Sequence, residues 1–175
     1  MVVLHCGAAT SNGMEHNIKD IMTTKVVSVS PDTFLKSAID ILFEKRFNGL
    51  PVVDSDGFLI GIFTEFDTII AGASIHWPAF KRVNEDRAYS TNKELMKEDL
   101  GKVLNMTVKD VMNTEPLTVG ENTPIEDVMK AFGEHHKVNP IPVVSEDKKL
   151  VGIVSRHDIL RFLTSITGDL SKKLG

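Results

Sequence analysis

Ile18-Lys19-Asp20-Ile21-Met22 returns 90 residues later as Val108-Lys109-Asp110-Val111-Met112, and Pro51-Val52-Val53 returns 91 residues later as Pro142-Val143-Val144. A chain that repeats itself at this distance is two copies of one supersecondary unit, and each copy alone is too small to close a good core. The two copies must therefore pack against each other across a pseudo-twofold axis. The second copy gains its one extra residue upstream of Asn139, because Asn48-x-x-Pro51 and Asn139-x-x-Pro142 keep the same spacing.

Within the first copy, Val26-Val27-Ser28-Val29 predicts a short strand and Ser30-Pro31-Asp32-Thr33 a turn and cap. Leu35, Ala38, Ile39 and Leu42 then recur at helical spacing, which marks a buried face. The second copy has Leu117-Thr118-Val119, the cap Thr123-Pro124-Ile125-Glu126, and Ile125, Val128, Met129 and Phe132 on one stripe. There proline at the first helical position and glutamate at the third mark the helix start. A hairpin follows in each copy. Leu50 to Val53 and Phe58 to Phe63 flank Asp54-Ser55-Asp56-Gly57, with glycine where a positive φ is needed. Ile141 to Val144 and Leu150 to Val154 flank Glu146-Asp147-Lys148, a weaker turn.

Each hairpin ends on the same motif. Gly61-Ile62-Phe63-Thr64-Glu65-Phe66-Asp67 and Gly152-Ile153-Val154-Ser155-Arg156-His157-Asp158 both run from an apolar strand into a helical pattern. At such a junction the first amides of the helix lack partners and the helix dipole is positive, a natural place for a phosphate. Thr64-x-x-Asp67 and Ser155-x-x-Asp158 also satisfy the capping box, so both an anion site and a plain helix cap are open.

The predicted class is α/β (α+β): two pseudo-twofold-related β-α-β-β-α repeats at 18–71 and 108–164, joined by a partly helical insertion at 72–107. In the insertion, Thr91 to Glu94 form a capping box ahead of the stripe Leu95, Leu100, Val103 and Leu104. Trp77 and Phe80 are expected to pack on the body of the protein. The leading segment 1–17 and the tail 165–175 carry no periodicity and are expected to be poorly ordered.

Composition narrows the function. A net charge of −4 offers no broad attraction for nucleic acid or an anionic membrane, and no apolar run is long enough to span a bilayer. The one cysteine, Cys6, rules out an intrachain disulfide framework and suits a reducing cytoplasm. His135 and His136 are adjacent rather than one turn apart, so no metal site is expected. No nucleophile elbow, Walker loop, catalytic acid pair or dinucleotide fingerprint occurs, and no enzyme activity is expected.

Two units of this order, each closing on Gly-h-h-[Thr/Ser]-x-x-Asp and each carrying a Pro-Val-Val strand, resemble a tandem pair of cystathionine-β-synthase (CBS) domains, a Bateman module. The resemblance implies a regulatory module that needs no cofactor. It binds an adenosine nucleotide or adenosyl compound, of the AMP, ADP and ATP class, in clefts between the repeats and passes occupancy to a partner protein. It also implies that the closing acid holds ribose hydroxyls, that the Thr or Ser and the helix-start amides meet phosphate, and that adenine lies among apolar strand residues. Carried over by position, Thr64 and Asp67 belong to one cleft, and Ser155, Arg156, His157 and Asp158 to the other. Val27 and Leu117 would offer strand edges, and Asn48, Pro51, Asn139, Ile141 and Pro142 the entry loops. A homodimer through the second helices, Phe66 to Ile70 and Ile159 to Leu163, is likewise implied.

The clefts differ in charge. Arg156 and His157 follow Ser155 whereas Glu65 and Phe66 follow Thr64, and an acid in the first turn competes with phosphate for the helix end. The Asp158 cleft is thus expected to be the better nucleotide site. Lys45, Arg46, His135, His136 and Lys137 stand at the ends of the first helices, placed to reach phosphate or simply to be solvated. The alternative function is a structural dimerisation or adaptor module with little ligand affinity, which the Glu65 cleft would suit.

Overall fold

The computed structural model describes residues 2–3, 16–73, 101 and 105–174; the expected helix of the insertion, with Trp77 and Phe80, lies outside them. The first repeat contains a 3₁₀ turn (Ile18–Asp20), helix α1 (Leu35–Lys45), strands β2 (Gly49–Val53) and β3 (Leu59–Thr64), and helix α2 (Glu65–Ala73). The second contains a 3₁₀ turn (Val108–Asp110), β4 (Leu117–Gly120), α3 (Ile125–Glu134), β5 (Ile141–Val144), β6 (Leu150–Val154) and α4 (Arg156–Leu174). Near the N-terminus, β1 (Val2–Val3) lies parallel to β4, in the sheet order β1-β4-β5-β6. The α+β class holds and the second repeat has the predicted β-α-β-β-α order, whereas the first lacks its leading strand; α4 carries the helix through the segment 165–174 that polar composition marks as a tail.

Each hairpin is antiparallel, Gly49 opposite Thr64 and Ile141 opposite Val154, with a register irregularity at the equivalent steps Val52/Val53 and Val143/Val144. Gly57 takes φ +83° at the first turn, and Lys148 takes φ +64° at the second, where no glycine is present. The tips meet across the axis: Leu59 N–H donates to Lys148 O and Leu150 N–H to Gly57 O, both at 3.2 Å.

What joins the repeats is an exchange of their leading arms. Ile18 N–H and Lys19 N–H donate to Thr123 O and Glu121 O, and Val108 N–H and Lys109 N–H donate to Thr33 O and Pro31 O, at 2.9–3.0 Å. Further along, Thr23 and Ile153 exchange both backbone hydrogen bonds, as do Asn113 and Ile62. Each arm thus docks on the other repeat. Ile18 is fully buried among second-repeat residues such as Val119, Val128 and Ile141, and Val108 among Leu35, Leu50 and Phe63 of the first.

Two sequence expectations change for the same reason. Pro124 stands just before α3, at its N-cap, rather than at the first helical position, and Phe34 holds the same place before α1; neither gives a side-chain cap. The Thr123 hydroxyl instead accepts from Gly120 N–H, closing a turn. The helix starts are capped by the crossing arms: Leu35 N–H donates to Met106 O (2.8 Å) and Ile125 N–H to His16 O (3.1 Å). In the first repeat only Val29 of the expected strand joins a sheet, bridging Val52, while Val26 and Val27 turn to a cleft wall.

The arms themselves are capped locally. Thr107 donates its N–H and hydroxyl to Asp110 Oδ2, at 2.8 Å each, which holds the Asp110 carboxyl below its ordinary pKa. Lys109 reaches across to Asp32 Oδ1 at 2.8 Å, and that hydrogen bond raises its pKa.

The arms run so close to the hairpins that only glycine fits opposite them. A Cβ at Gly61 would lie 2.8 Å from Met112 Sδ and 2.9 Å from the Asn113 carbonyl oxygen; at Gly152 it would lie 2.5 Å from Met22 Sδ but 3.3 Å from the Thr23 oxygen. A methionine side chain can move, whereas the Asn113 carbonyl is fixed by the pair of backbone hydrogen bonds that its residue exchanges with Ile62. Gly61→Ala is expected to lower stability by about 1–3 kcal/mol, and Gly152→Ala by less, as measured by urea unfolding.

Candidate functional site

The arm exchange leaves two related clefts, each walled by both repeats. One, of about 350 Å³, places Ser155, His157 and Asp158 of the second repeat against Thr23, Lys25, Val26, Val27 and the α1–β2 junction from Lys45 to Gly49. The other, of about 260 Å³, places Thr64, Phe66 and Asp67 of the first repeat against Asn113, Pro116, Leu117 and residues 137–140. The walls are thus crossed: Val27, which is not in a strand, stands in the wall opposite Asp158, and Leu117 of β4 in the wall opposite Asp67. Pro140 lines both clefts, and its Cδ lies so near Gly49 that a Cβ there would sit at 2.9 Å.

Both capping boxes form. Thr64 N–H and hydroxyl donate to Asp67 Oδ2 at 2.8 and 2.7 Å, and Ser155 N–H and hydroxyl donate to Asp158 Oδ2 at 2.9 and 2.6 Å. Capping consumes one carboxylate oxygen and leaves the other. Asp67 Oδ1 has no hydrogen-bond partner among the described residues, whereas Asp158 Oδ1 accepts from Arg161 Nη2 at 2.7 Å.

The other sequence candidates divide. Asn48 lines the larger cleft, and its amide donates to Glu65 Oε1 at 3.4 Å. Asn139 lines the smaller one, and its Oδ1 accepts from Arg156 N–H at 3.2 Å. Leu117 is paired along its backbone with Val2 of β1. Pro51, Ile141 and Pro142 are buried in β2 and β5 and stand in neither cleft wall. Arg156 also stands outside both. Its guanidinium donates to the carbonyls of Phe132, His135 and His136 at 2.9–3.3 Å and lies over the Phe132 ring, so it closes the end of α3 rather than facing a ligand.

Of the flanking bases, Lys45 and Arg46 line the larger cleft and Lys137 the smaller, where its ammonium sits 5.0 Å from the Phe66 ring centre. His135 and His136 line neither. Lys25 and Arg161, which are not among the sequence candidates, both line the larger cleft. Arg161 was detectable, one helical turn past Asp158. Lys25 was not, because its arm reaches the cleft only through the exchange.

Two crevices between crossed halves of a duplicated α+β unit, each ending at a hydroxyl–acid cap, define a pseudo-symmetric tandem-repeat module. The profile of the CBS domain matches residues 18–73 and 108–165, and the chain belongs to that family, as a tandem CBS pair. The chloroplastic CBS domain-containing protein CBSX2 of Arabidopsis thaliana is 32% identical over 152 residues, 83% of this chain and 63% of CBSX2. A CBS domain-containing protein of Dictyostelium discoideum is 30% identical over 149 residues, 85% of this chain and 92% of its own length. The crystal structure of CBSX2 in complex with AMP aligns at a TM-score of 0.66 and 28% identity, covering 87% of this chain and 98% of that one. This chain spans 63% of the length of CBSX2 and of the related CBSX1.

One backbone feature of the larger cleft is strained. Arg46 ends α1 at φ +55°, ψ +42°, the left-handed region that costs a non-glycine residue roughly 1–2 kcal/mol. Arg46→Gly is expected to raise stability by about 0.5–1 kcal/mol in urea unfolding.

Proposed function

We propose that this chain is a regulatory module that senses an adenosine nucleotide, of the AMP, ADP and ATP class, and transmits occupancy to a partner protein; it is not itself an enzyme. The observation that carries the reading is the larger cleft. Lys25, Lys45, Arg46, His157 and Arg161 gather there around the buried acid Asp158, beside the apolar wall of Val26, Val27 and Ile153. Such a lining complements a phosphate at one end, a ribose at the acid and a flat base against the strand. Its volume of about 350 Å³ falls in the ordinary range of small-molecule sites, about 300–1,000 Å³. CBSX2, solved in complex with AMP, supports the nucleotide class.

Capping does not compete with this role. One oxygen of each acid holds the helix start; the other is open on Asp67 and held by the exposed Arg161 on Asp158, from which a ligand's sugar hydroxyl can take it over in a charge-assisted bond stronger than a neutral one. The Asp158 cleft is the better nucleotide site on charge, since among the described residues Lys137 is the single lysine or arginine in the wall of the Asp67 cleft. No helix of the described residues is long and apolar enough to cross a membrane. The single cysteine suits a reducing compartment, and we place the protein in the cytoplasm.

A structural dimerisation role has its own support. Phe43, Ile69 and Leu160 are 84%, 67% and 61% exposed, and Phe43 and Ile69 flank an open groove between α1 and α2. Burying these helices against a second copy accounts for them, so a homodimer accompanies the sensor reading. Light scattering at micromolar concentration is expected to return twice the mass of one chain; a monomer mass counts against dimerisation.

Thermal unfolding with AMP, ADP, ATP, S-adenosylmethionine and NAD separates sensor from scaffold. A ligand at a hundred times its dissociation constant that binds only the native state adds about 2.7 kcal/mol, a rise in Tm of about 5–10 °C for a chain of this size. At least one adenosine compound is expected to produce it, and Asp158→Ala is expected to reduce a nucleotide's shift more than Asp67→Ala. If none of the compounds moves the Tm, the protein is a scaffold.

A further inference from the structure

The two clefts hold their acids in different states. Asp158 is 8% exposed and has both oxygens engaged, Oδ2 in the cap and Oδ1 by the guanidinium of Arg161, itself 63% exposed in the cleft wall. Asp67 keeps Oδ1 open among the described residues, and the position matching Arg161 in the first repeat is Ile70. A neutral ligand entering the larger cleft must compete with a cation for Asp158 and brings nothing that the cation gains. A phosphorylated one offers Arg161, Lys25, Lys45 and Arg46 an anion in exchange and leaves Oδ1 to the ribose. In the smaller cleft nothing has to be displaced, Lys137 rests on Phe66, and Glu65 follows the cap in the first turn of α2.

We propose, building on the adenosyl-ligand reading, that the two clefts answer to different charge classes: the Asp158 cleft to phosphorylated adenosyl ligands, with Arg161 as its selectivity residue, and the Asp67 cleft to uncharged ones. Arg161 acts as a resident cation that masks the ribose acceptor until a phosphate draws it away. A single chain then reads the phosphorylated and unphosphorylated forms of one nucleoside at two places.

Isothermal titration of the full chain with AMP and with adenosine tests this in wild type, Asp67→Asn, Asp158→Asn, and Arg161→Met in the Asp67→Asn background. Asparagine keeps an oxygen for the cap, and residue 161 is exposed, so the variants are expected to fold; circular dichroism checks that. Asp67→Asn is expected to lose adenosine and keep AMP, and Asp158→Asn the reverse. Adding Arg161→Met is expected to lower the ratio of AMP to adenosine affinity in the remaining cleft by about ten- to hundredfold, the worth of hydrogen bonds to charged groups. AMP binding with that ratio unchanged, or both ligands lost together on one aspartate substitution, overturns the charge-class proposal while the adenosyl reading stands. If wild type binds neither compound, the charge-class proposal falls, and the adenosyl reading falls with it only if ADP, ATP and S-adenosylmethionine also leave the Tm unmoved.

Discussion

The backbone pairing of each leading arm with the opposite hairpin is the constraint on which the rest depends. Thr23 with Ile153, and Asn113 with Ile62, exchange both hydrogen bonds, and the 3₁₀ turns just ahead seat Ile18 and Val108 in the core of the other repeat. Neither core closes without the residue it borrows. The exchange also supplies the carbonyls that cap α1 and α3, so two helices lacking side-chain caps still have partnered first amides. The repeats are therefore coupled by main chain, and a change in one hairpin is felt by the arm of the other.

The same crossing creates the clefts. An acid at the end of one hairpin faces an arm from the other half, so a ligand lodged there touches both repeats at once and is suited to bias their relative placement. Glycines 61 and 152 allow the approach, and the Gly49–Pro140 contact fixes how near the two α–β junctions come to the axis. Regulation by occupancy needs such a shared wall; a pocket inside one repeat would leave the other indifferent.

Symmetry of the backbone does not extend to its chemistry. Where the first repeat has Phe66 and Ile70, the second has His157 and Arg161; where the second arm has Glu115, the first has Lys25. Because the halves are crossed, Lys25 of the first arm, Lys45 and Arg46 at the end of α1, and His157 and Arg161 of α4 fall into one cleft and add. Arg156, adjacent in sequence, joins neither, since the carbonyls at the end of α3 hold it on the far side. Helical geometry sends neighbouring residues to different faces, and only their position on the helix decides which of them meets a ligand.

The duplicated pattern of apolar spacing, turn chemistry and the Gly-h-h-[Thr/Ser]-x-x-Asp ending by itself determined the repeat, its helices and hairpins, the Thr64–Asp67 and Ser155–Asp158 caps and the family, because helices, turns and caps rest on contacts within a few residues. The tertiary structure alone decided which arm completes which core, that Pro124 precedes its helix, that Val27 faces Asp158 and Leu117 faces Asp67, and that Lys25 enters a cleft while Arg156 leaves it. Those outcomes depend on pairings between residues far apart in the chain, such as Ile62 with Asn113 and Thr23 with Ile153, for which the chain carries no local signal; they emerge when two incomplete cores exchange the segments each lacks.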